Sequence, residues 1–555
     1  MDSSAAAEKA AMAAMTDEER AAYKEQKKAA KDAEKAAKKA EKEARKAANA
    51  AAAMAAAAPL QPVTYNGGDA PPPTQLYGDY AMIQSTTPAA GSGRKFVRVD
   101  ALCMEAADDQ GMVWVRGRVH TLRSVGRNVF LVLRQATATV QAVLAEGGNV
   151  SRAFAKWAAK ELPVETIVDI HARLAPAEVK SCTQGDVELS VARLYVVSRA
   201  APTLPFSLED AARGEPTGPD DVLPRVGRDT RLDGRVLDLR VPPHQAMLRV
   251  QSGVSGLFRE FLTAAGFVEI HSPKLIAGAS EGGAEVFKLD YFGRPACLAQ
   301  SPQLYKQMAI CGDMERVFEV GPVFRAEDSH THRHLCEFTG LDLELQINEH
   351  YSEVLDCLDA LFVSIFDGIN ARFSRELEVI SAKSPFEPFV YSPAGKNLRL
   401  EYPQAVAMLR EAGVEQGDFD DLSTEVERKL GQLVKAQYGT DFFILTRFPS
   451  AVRPFYTMPE AEDERYSNSF DIFMRGEEIV SGAQRIHDVE MLSRRAEAKG
   501  IDVNSLSSYL DAFRYGAPPH GGAGIGLERV VMLFLSAGNV RECSLFPRDP
   551  KRLSP

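Results

Sequence analysis

The chain has 555 residues, 45% of them hydrophobic and 25% charged, which excludes disorder throughout and is too much chain for a single core. Its formal net charge of -11 means that any nucleic-acid binding must come from local basic patches. The seven cysteines, at 103, 182, 297, 311, 336, 357 and 543, are never spaced CxxC, which argues against a disulfide framework or a structural zinc site and fits a reducing cytosol.

Taken in chain order, residues 1–95 read as a Lys/Ala-rich helical extension and a linker. Up to about residue 58 the composition favours helix but supplies almost no large apolar side chain to bury. Lys24, Lys28, Lys31, Lys35, Lys38, Lys42 and Arg45 recur at steps of four and three and so line one face as a cationic stripe. Between Arg20 and Lys46 stand 11 basic and five acidic residues, a local +6 that suits a phosphate-binding arm as well as a plain solvated helix. Asp17, Glu18 and Glu19 argue against a mitochondrial leader, and no apolar run reaches the ~20 residues of a membrane span, so a soluble, cytoplasmic protein without membrane contact is expected. Pro71-Pro72-Pro73 and Gly91-Ser92-Gly93 mark the linker.

Residues 96–200 carry strand-like runs at 113–122, 128–135, 138–145, 165–174 and 187–197, with a helical stretch at 150–161 after the third. That order predicts an OB-fold β-barrel. Strand alternation places Phe130, Val132 and Arg134 on one face, where an aromatic beside a cation suits base stacking; a phenylalanine of the barrel core is the plainer alternative. Residues 201–240 are rich in Pro, Gly and Asp and read as a hinge, and 241–555 as one large α+β domain with antiparallel hairpins.

Three segments of that domain carry chemistry. In the first, the strand from Arg316 places Arg325 and Glu327 on one face, and a polar loop from Asp328 to His334 leads to a strand on which Leu341, Leu343 and Leu345 alternate with Phe338, Gly340, Asp342 and Glu344. Phe338 above a glycine suits a flat ring, and Asp342 with Glu344 suits an ammonium between them. In the second, the hairpin from Asn468 to Arg485 turns at Arg475-Gly476 and makes Asp471 and Glu478 diagonal neighbours, an arrangement for Mg²⁺ or for a charged surface hairpin. Ser481 and Arg485 differ in parity from Glu478, so a shared site demands a bulge, expected at Gly482. The third, Tyr515 to Arg529, reads as a glycine-rich loop opening a buried helix; no GKS/T P-loop or strand-GxGxxG-helix unit accompanies it.

Together with Gly266-Phe267-Val268-Glu269-Ile270-His271-Ser272-Pro273, the runs Val323-Phe324-Arg325-Ala326-Glu327 and Gly524-Ile525-Gly526-Leu527-Glu528-Arg529 resemble the three signature motifs of class II aminoacyl-tRNA synthetases. An N-terminal OB barrel marks the aspartate, asparagine and lysine subgroup. The runs Ser280-Glu281-Gly282-Gly283, Gln300 to Gln307 and Leu545 to Leu553 resemble its eukaryotic cytosolic, aspartate-charging members. The resemblance implies activation of L-aspartate by ATP to aspartyl-adenylate, then transfer to the 3′-terminal adenosine of tRNA(Asp), by a homodimer. It implies Arg325 on the α-phosphate, Phe338 and Arg529 sandwiching adenine, Glu327 at its amino group and His334 on the outer phosphates. Asp471, Glu478 and Ser481 would surround Mg²⁺; Ser280, Glu281, Gln303 and Asp342 would hold the amino acid, with Lys306 and Arg485 on its side-chain carboxylate. Within the class, Ser481 would also border the amino acid, and Arg123, Phe130, Gln141, Ser181 and Glu188 become candidates for anticodon contacts. Ser301, capping a helix with Pro302 in its first turn, would put Gln303 and Lys306 on one face. An enzyme charging asparagine or lysine, or two tRNAs, a scaffold that kept the fold without catalysis, and an ATP-using amidoligase remain alternatives.

Overall fold

The computed structural model describes residues 75–80, 82–85, 93–216, 218, 220–277 and 286–555, so the cationic stripe, most of the linker and the Ser280–Glu281 pair lie outside the described residues. The chain divides into two compact units, Met1–Leu204 and Pro205–Pro555.

In the first unit β2 (Met112–Val125), β3 (Asn128–Gln135), β4 (Ala138–Leu144), β5 (Ile167–Pro176) and β6 (Gln184–Ser198) close on themselves through β5–β6, and β1 (Tyr77–Asp79) adds in parallel to β6. The alternation dictates the barrel: Val129, Leu131 and Leu133 of β3 and Val140 and Ala142 of β4 are buried inside. The helix α1 (Arg152–Glu161), whose N-cap Ser151 accepts from the Phe154 N–H, buries Phe154 against that core.

The second unit is built on an eight-stranded sheet ordered β13-β14-β15-β16-β17-β12-β11-β7. Its strands are β7 (Val268–Glu269), β11 (Arg316–Phe324), β12 (Glu337–Gln346), β13 (Leu398–Glu401), β14 (Phe442–Thr446), β15 (Ser469–Met474), β16 (Glu477–Gln484) and β17 (His520–Gly526). All neighbours are antiparallel except β7–β11 and β13–β14. A smaller sheet joins β8 (Leu275–Ile276), β9 (Lys288–Tyr291) and β10 (Arg294–Leu298). One face of the large sheet is dry: Leu341, Leu343, Leu345, Phe470, Ile472 and Ile525 pack with α2 (Pro242–Ala264) and α4 (Ser352–Arg372), whose apolar stripes supply Val250, Val254, Phe258, Leu358 and Phe362. The opposite face carries Asp342 and Glu344, and α3 (Gln303–Cys311) covers part of it.

Three expectations change. The glycine-rich segment is not a loop but the strand β17, and only then does α5 (Leu527–Phe534) begin. Glycine is required there because a Cβ at Gly522 would collide with the Glu344 carboxylate and one at Gly524 would press on Asp342. The stretch read as a hinge carries the short helices Leu208–Ala212, Arg228–Asp233 and Arg235–Asp238, tied by Arg231 to Glu542 (2.8 Å) and by Arg235 to the Ser544 carbonyl (2.6 Å). α3 starts at Gln303 with Pro302 as its N-cap, one residue later than expected, although the Ser301 hydroxyl still accepts from the Gln303 N–H at 3.3 Å.

Candidate active site

A cavity opens on the charged face of the large sheet, lined by β11, β12, β16, β17 and the loops that follow β11 and β14. Its floor is ionic. Lys306, 2% exposed, reaches up from α3 and donates to Asp342 Oδ1 (3.0 Å) and to the carbonyls of Ala523 (3.1 Å) and Leu343 (3.4 Å), with Glu344 Oε2 at 3.4 Å. Arg485 forks onto Glu344 through Nε (2.9 Å) and Nη2 (3.3 Å). The ammonium expected between Asp342 and Glu344 is therefore the chain's own. Burial works against the Glu344 charge, but Arg485 and Lys306 hold its carboxyl below the usual range. Asp342, Gln303 and Arg485 line the cavity; Lys306 does not, and meets it through Asp342. Gln303 is locked in place: its amide donates to Gln307 Oε1 (2.8 Å), which also accepts from Tyr509 (3.0 Å), and the Gln307 amide donates to His520 Nε2 (3.0 Å).

At the other end the cavity is lined by Arg325, Glu327, Arg333, His334, Phe338, Glu478 and Arg529. The Arg325 guanidinium lies 5.6 Å from the Phe338 ring centre and 3.9 Å from Glu327. Arg529, at the start of α5, donates to the Glu478 carbonyl at 2.9 Å. His334 is held through Nδ1 by Thr331 (2.6 Å) and Ser329 (3.2 Å); burial, then the Arg529 charge, push its pKa down, so the ring is neutral near pH 7.

The hairpin β15–β16 turns at Arg475-Gly476, both at positive φ (48° and 78°), and sets Phe473 opposite Glu478, as the sequence predicts. The bulge is real but sits elsewhere: Phe473 faces Glu478 and Ile472 faces Val480, so the extra residue is Ile479, not Gly482. Ile479 and Val480 are consecutively buried, and past them Ser481 and Arg485 come to the cavity side with Glu478. Asp471, opposite Ser481, is not a lining residue; both its oxygens accept from Arg453, at 2.9 and 2.8 Å, and Arg453 also donates to Ser481 Oγ at 2.9 Å. Burial drives the Asp471 carboxyl up to about 6; Arg453 opposes this and the nearby Glu478 charge adds to it. Among the described residues no group of three or more His, Cys, Asp or Glu stands as a metal site.

On the barrel, Phe130 stands half-buried on the outer side of β3, not in the core. The cation over its ring is Arg123, 5.3 Å from the centre, whereas Arg134 is 3% exposed and paired with Glu165 at 2.6 Å. Gln141 donates to Glu188 at 2.5 Å beside them, and Ser181 is exposed in the β5–β6 connection. Arg333, Arg453 and Glu427 escaped the sequence reading. Arg333 belongs to the polar loop already singled out; Glu427 lies on an amphipathic helix capped by Ser423, and Arg453 follows β14, and both reach the site only by tertiary contact.

An ionic floor, an aromatic side chain and converging arginines on an antiparallel sheet, in a chain whose other unit is an OB barrel, suit an enzyme that takes a small charged substrate and a nucleotide and also carries a nucleic-acid-binding module. The family profile described as tRNA synthetases class II (D, K and N) matches residues 227–550, and that of the OB-fold nucleic acid binding domain matches 113–197. The chain belongs to the class II tRNA synthetases of this D, K and N group. Within the group it is 54% identical, over 87% of its length and 95% of the relative's, to the cytoplasmic aspartate–tRNA ligase of Homo sapiens. Among solved structures it is similar to the aspartyl tRNA synthetase of Entamoeba histolytica (44% identity, TM-score 0.78, covering 89% of this chain and 100% of that one). It is less similar to the asparaginyl-tRNA synthetase of Pyrococcus horikoshii complexed with asparaginyl-adenylate (31%, TM-score 0.72, 83% and 100%).

Proposed function

We infer that the chain activates L-aspartate with ATP in the cytosol and transfers the aspartyl group to the 3′-terminal adenosine of tRNA(Asp). The observation that carries the choice of aspartate is the buried Lys306–Asp342–Glu344–Arg485 cluster. Two cations and two acids balance within the floor itself; an amino acid with a second carboxylate adds a partner for Arg485 and Lys306, while its ammonium goes to Asp342. Asparagine offers a neutral amide and leaves that positive charge incompletely paired, a deficit worth several powers of ten.

Catalysis is electrostatic. The aspartate α-carboxylate attacks the α-phosphorus in line and the bond to the β-phosphate oxygen breaks, releasing pyrophosphate; a ribose hydroxyl of the tRNA then attacks the acyl carbon, gives up its proton and expels AMP. Arg325 takes up charge on the phosphoryl oxygens, and Phe338 with Arg529 holds adenine while Glu327 meets its amino group. His334, neutral and oriented by Thr331 and Ser329, donates to the outer phosphates. Mg²⁺ fits the donor set: Glu478 and Ser481 offer oxygens at the cavity wall, and the Asp471 charge beside Glu478 is one that a dication relieves. When bound, it neutralises phosphate charge. Asp471 would share its oxygens with Arg453 or surrender that fork. A two-fold homodimer is supported by the edge position of β7 and by the exposure of its Val268. Phe130 under Arg123, with Gln141, Glu188 and Ser181 nearby, forms the anticodon surface.

Charging assays test the reading: labelled aspartate should accumulate on tRNA(Asp) with ATP and Mg²⁺ and on no tRNA when asparagine or lysine replaces it. Charging of tRNA(Asn) at a comparable rate would instead support the enzyme serving two tRNAs.

A further inference from the structure

The helix Thr424–Tyr438 contributes no residue to the cavity wall, yet it is fastened to the back of it. Glu427, 4% exposed, accepts from Arg333 Nη1 at 2.6 Å, and the Glu478 backbone N–H meets the same carboxylate. Arg428 donates to Glu477 Oε1 at 2.7 and 3.0 Å and to His332 at 2.6 Å. At Gly431 the helix touches the β15–β16 turn so closely that a Cβ would collide with the Gly476 backbone. One rigid element thus holds the loop carrying Arg333 and His334 against the hairpin carrying Glu478.

Arg333 lines the cavity, and its Nε is buried with no hydrogen-bond partner among the described residues. It shares that end with Arg325 and Arg529. Those two arginines repel it and a free arginine loses up to ~2 kcal/mol of rotamer entropy on fixation; against this stand Glu427, the largest attraction on the guanidinium, and then Glu478 and Glu477. We propose that Glu427 is a positioning residue for the nucleotide: from a helix outside the cavity it fixes Arg333 with its open edge toward the outer phosphates of ATP and keeps the Glu478 backbone in register with it. This rests on the ATP reading above. A buried pair serving stability alone would also explain the contact, but it would leave substrate affinity untouched.

Steady-state pyrophosphate exchange on the full chain separates the two. Glu427→Asp keeps the charge but withdraws it by one methylene, and Glu427→Met removes it at similar volume. Both should raise the KM for ATP, the latter about tenfold, with the KM for aspartate within about twofold of wild type. Glu427→Gln, which still offers an oxygen to both donors, should restore most of the affinity. Arg333→Met should match Glu427→Met, and the double variant should be no worse than Arg333→Met alone. The proposal is overturned if Glu427→Asp binds ATP normally, if ATP and aspartate KM rise together, or if the two substitutions add. Should Glu427→Met not fold, Glu427→Asp decides. Wild-type chain without exchange for any amino acid would fail the ATP reading itself; active wild type with unaffected variants fails only the role of Glu427.

Discussion

Lys306 touches two buried acids and two carbonyls, so its replacement acts on fold and chemistry together. Lys306→Met should abolish aspartate-dependent exchange and also lower the melting temperature, because leaving a buried charge uncompensated costs about 3–5 kcal/mol. Nucleotide binding, measured by fluorescence titration with an ATP analogue, should be largely kept; loss of both in equal measure would count against a role at the carboxylate. Arg485→Lys is a sharper probe of specificity. It keeps the charge but loses the fork onto Glu344, so the preference for aspartate over asparagine should narrow while the protein remains folded. The types and spacing of these residues were legible in the sequence. What was not legible is that Lys306 occupies the gap between Asp342 and Glu344, since alternation along β12 gives the face of each acid but not which helix lies over it.

At the scale of the element, α5 carries in its first turn Glu528, whose carboxyl burial raises to about 7 although the Thr339 N–H lies against it at 3.1 Å. An acid whose folded pKa lies above its unfolded one binds protons more readily when folded, so stability falls as pH rises from about 4.5 towards 7. Glu528→Gln should therefore unfold at a higher temperature than wild type at pH 8, by an effect on the order of 3 kcal/mol at most, with the gap closing below pH 5. A gap of the same size at pH 5 would show that the carboxylate carries no such penalty. The strands were legible because their apolar residues alternate, and the hairpin turn because Arg475-Gly476 accepts positive φ. The bulge was demanded by parity yet misplaced by three residues, since a two-residue apolar run, Ile479-Val480, is all that marks it. The glycines of β17 looked like a loop because sequence does not reveal that Glu344 and Asp342 fill the space of their missing side chains.

For the whole molecule, the two units carry separable tasks, so each has its own readout. Phe130→Ala should weaken tRNA(Asp) binding by ~1–3 kcal/mol through lost stacking and leave aspartate-dependent exchange unchanged. Removal of residues 1–58 should weaken tRNA binding and flatten its salt dependence while sparing adenylate formation; an unchanged slope would make the lysine stripe a solvated tail. The order of barrel and antiparallel catalytic sheet was readable from turn signals and periodicity. The short helices of the segment between them were not, because Arg231 and Arg235 fasten that segment within the second unit through partners some 310 residues away in sequence. The central claim, that the ionic floor selects an acidic amino acid, is tested most directly by pyrophosphate exchange with aspartate, asparagine and lysine in parallel. The kcat/KM for aspartate is expected to exceed the others by about 10⁴-fold, and comparable exchange with asparagine or lysine would contradict it.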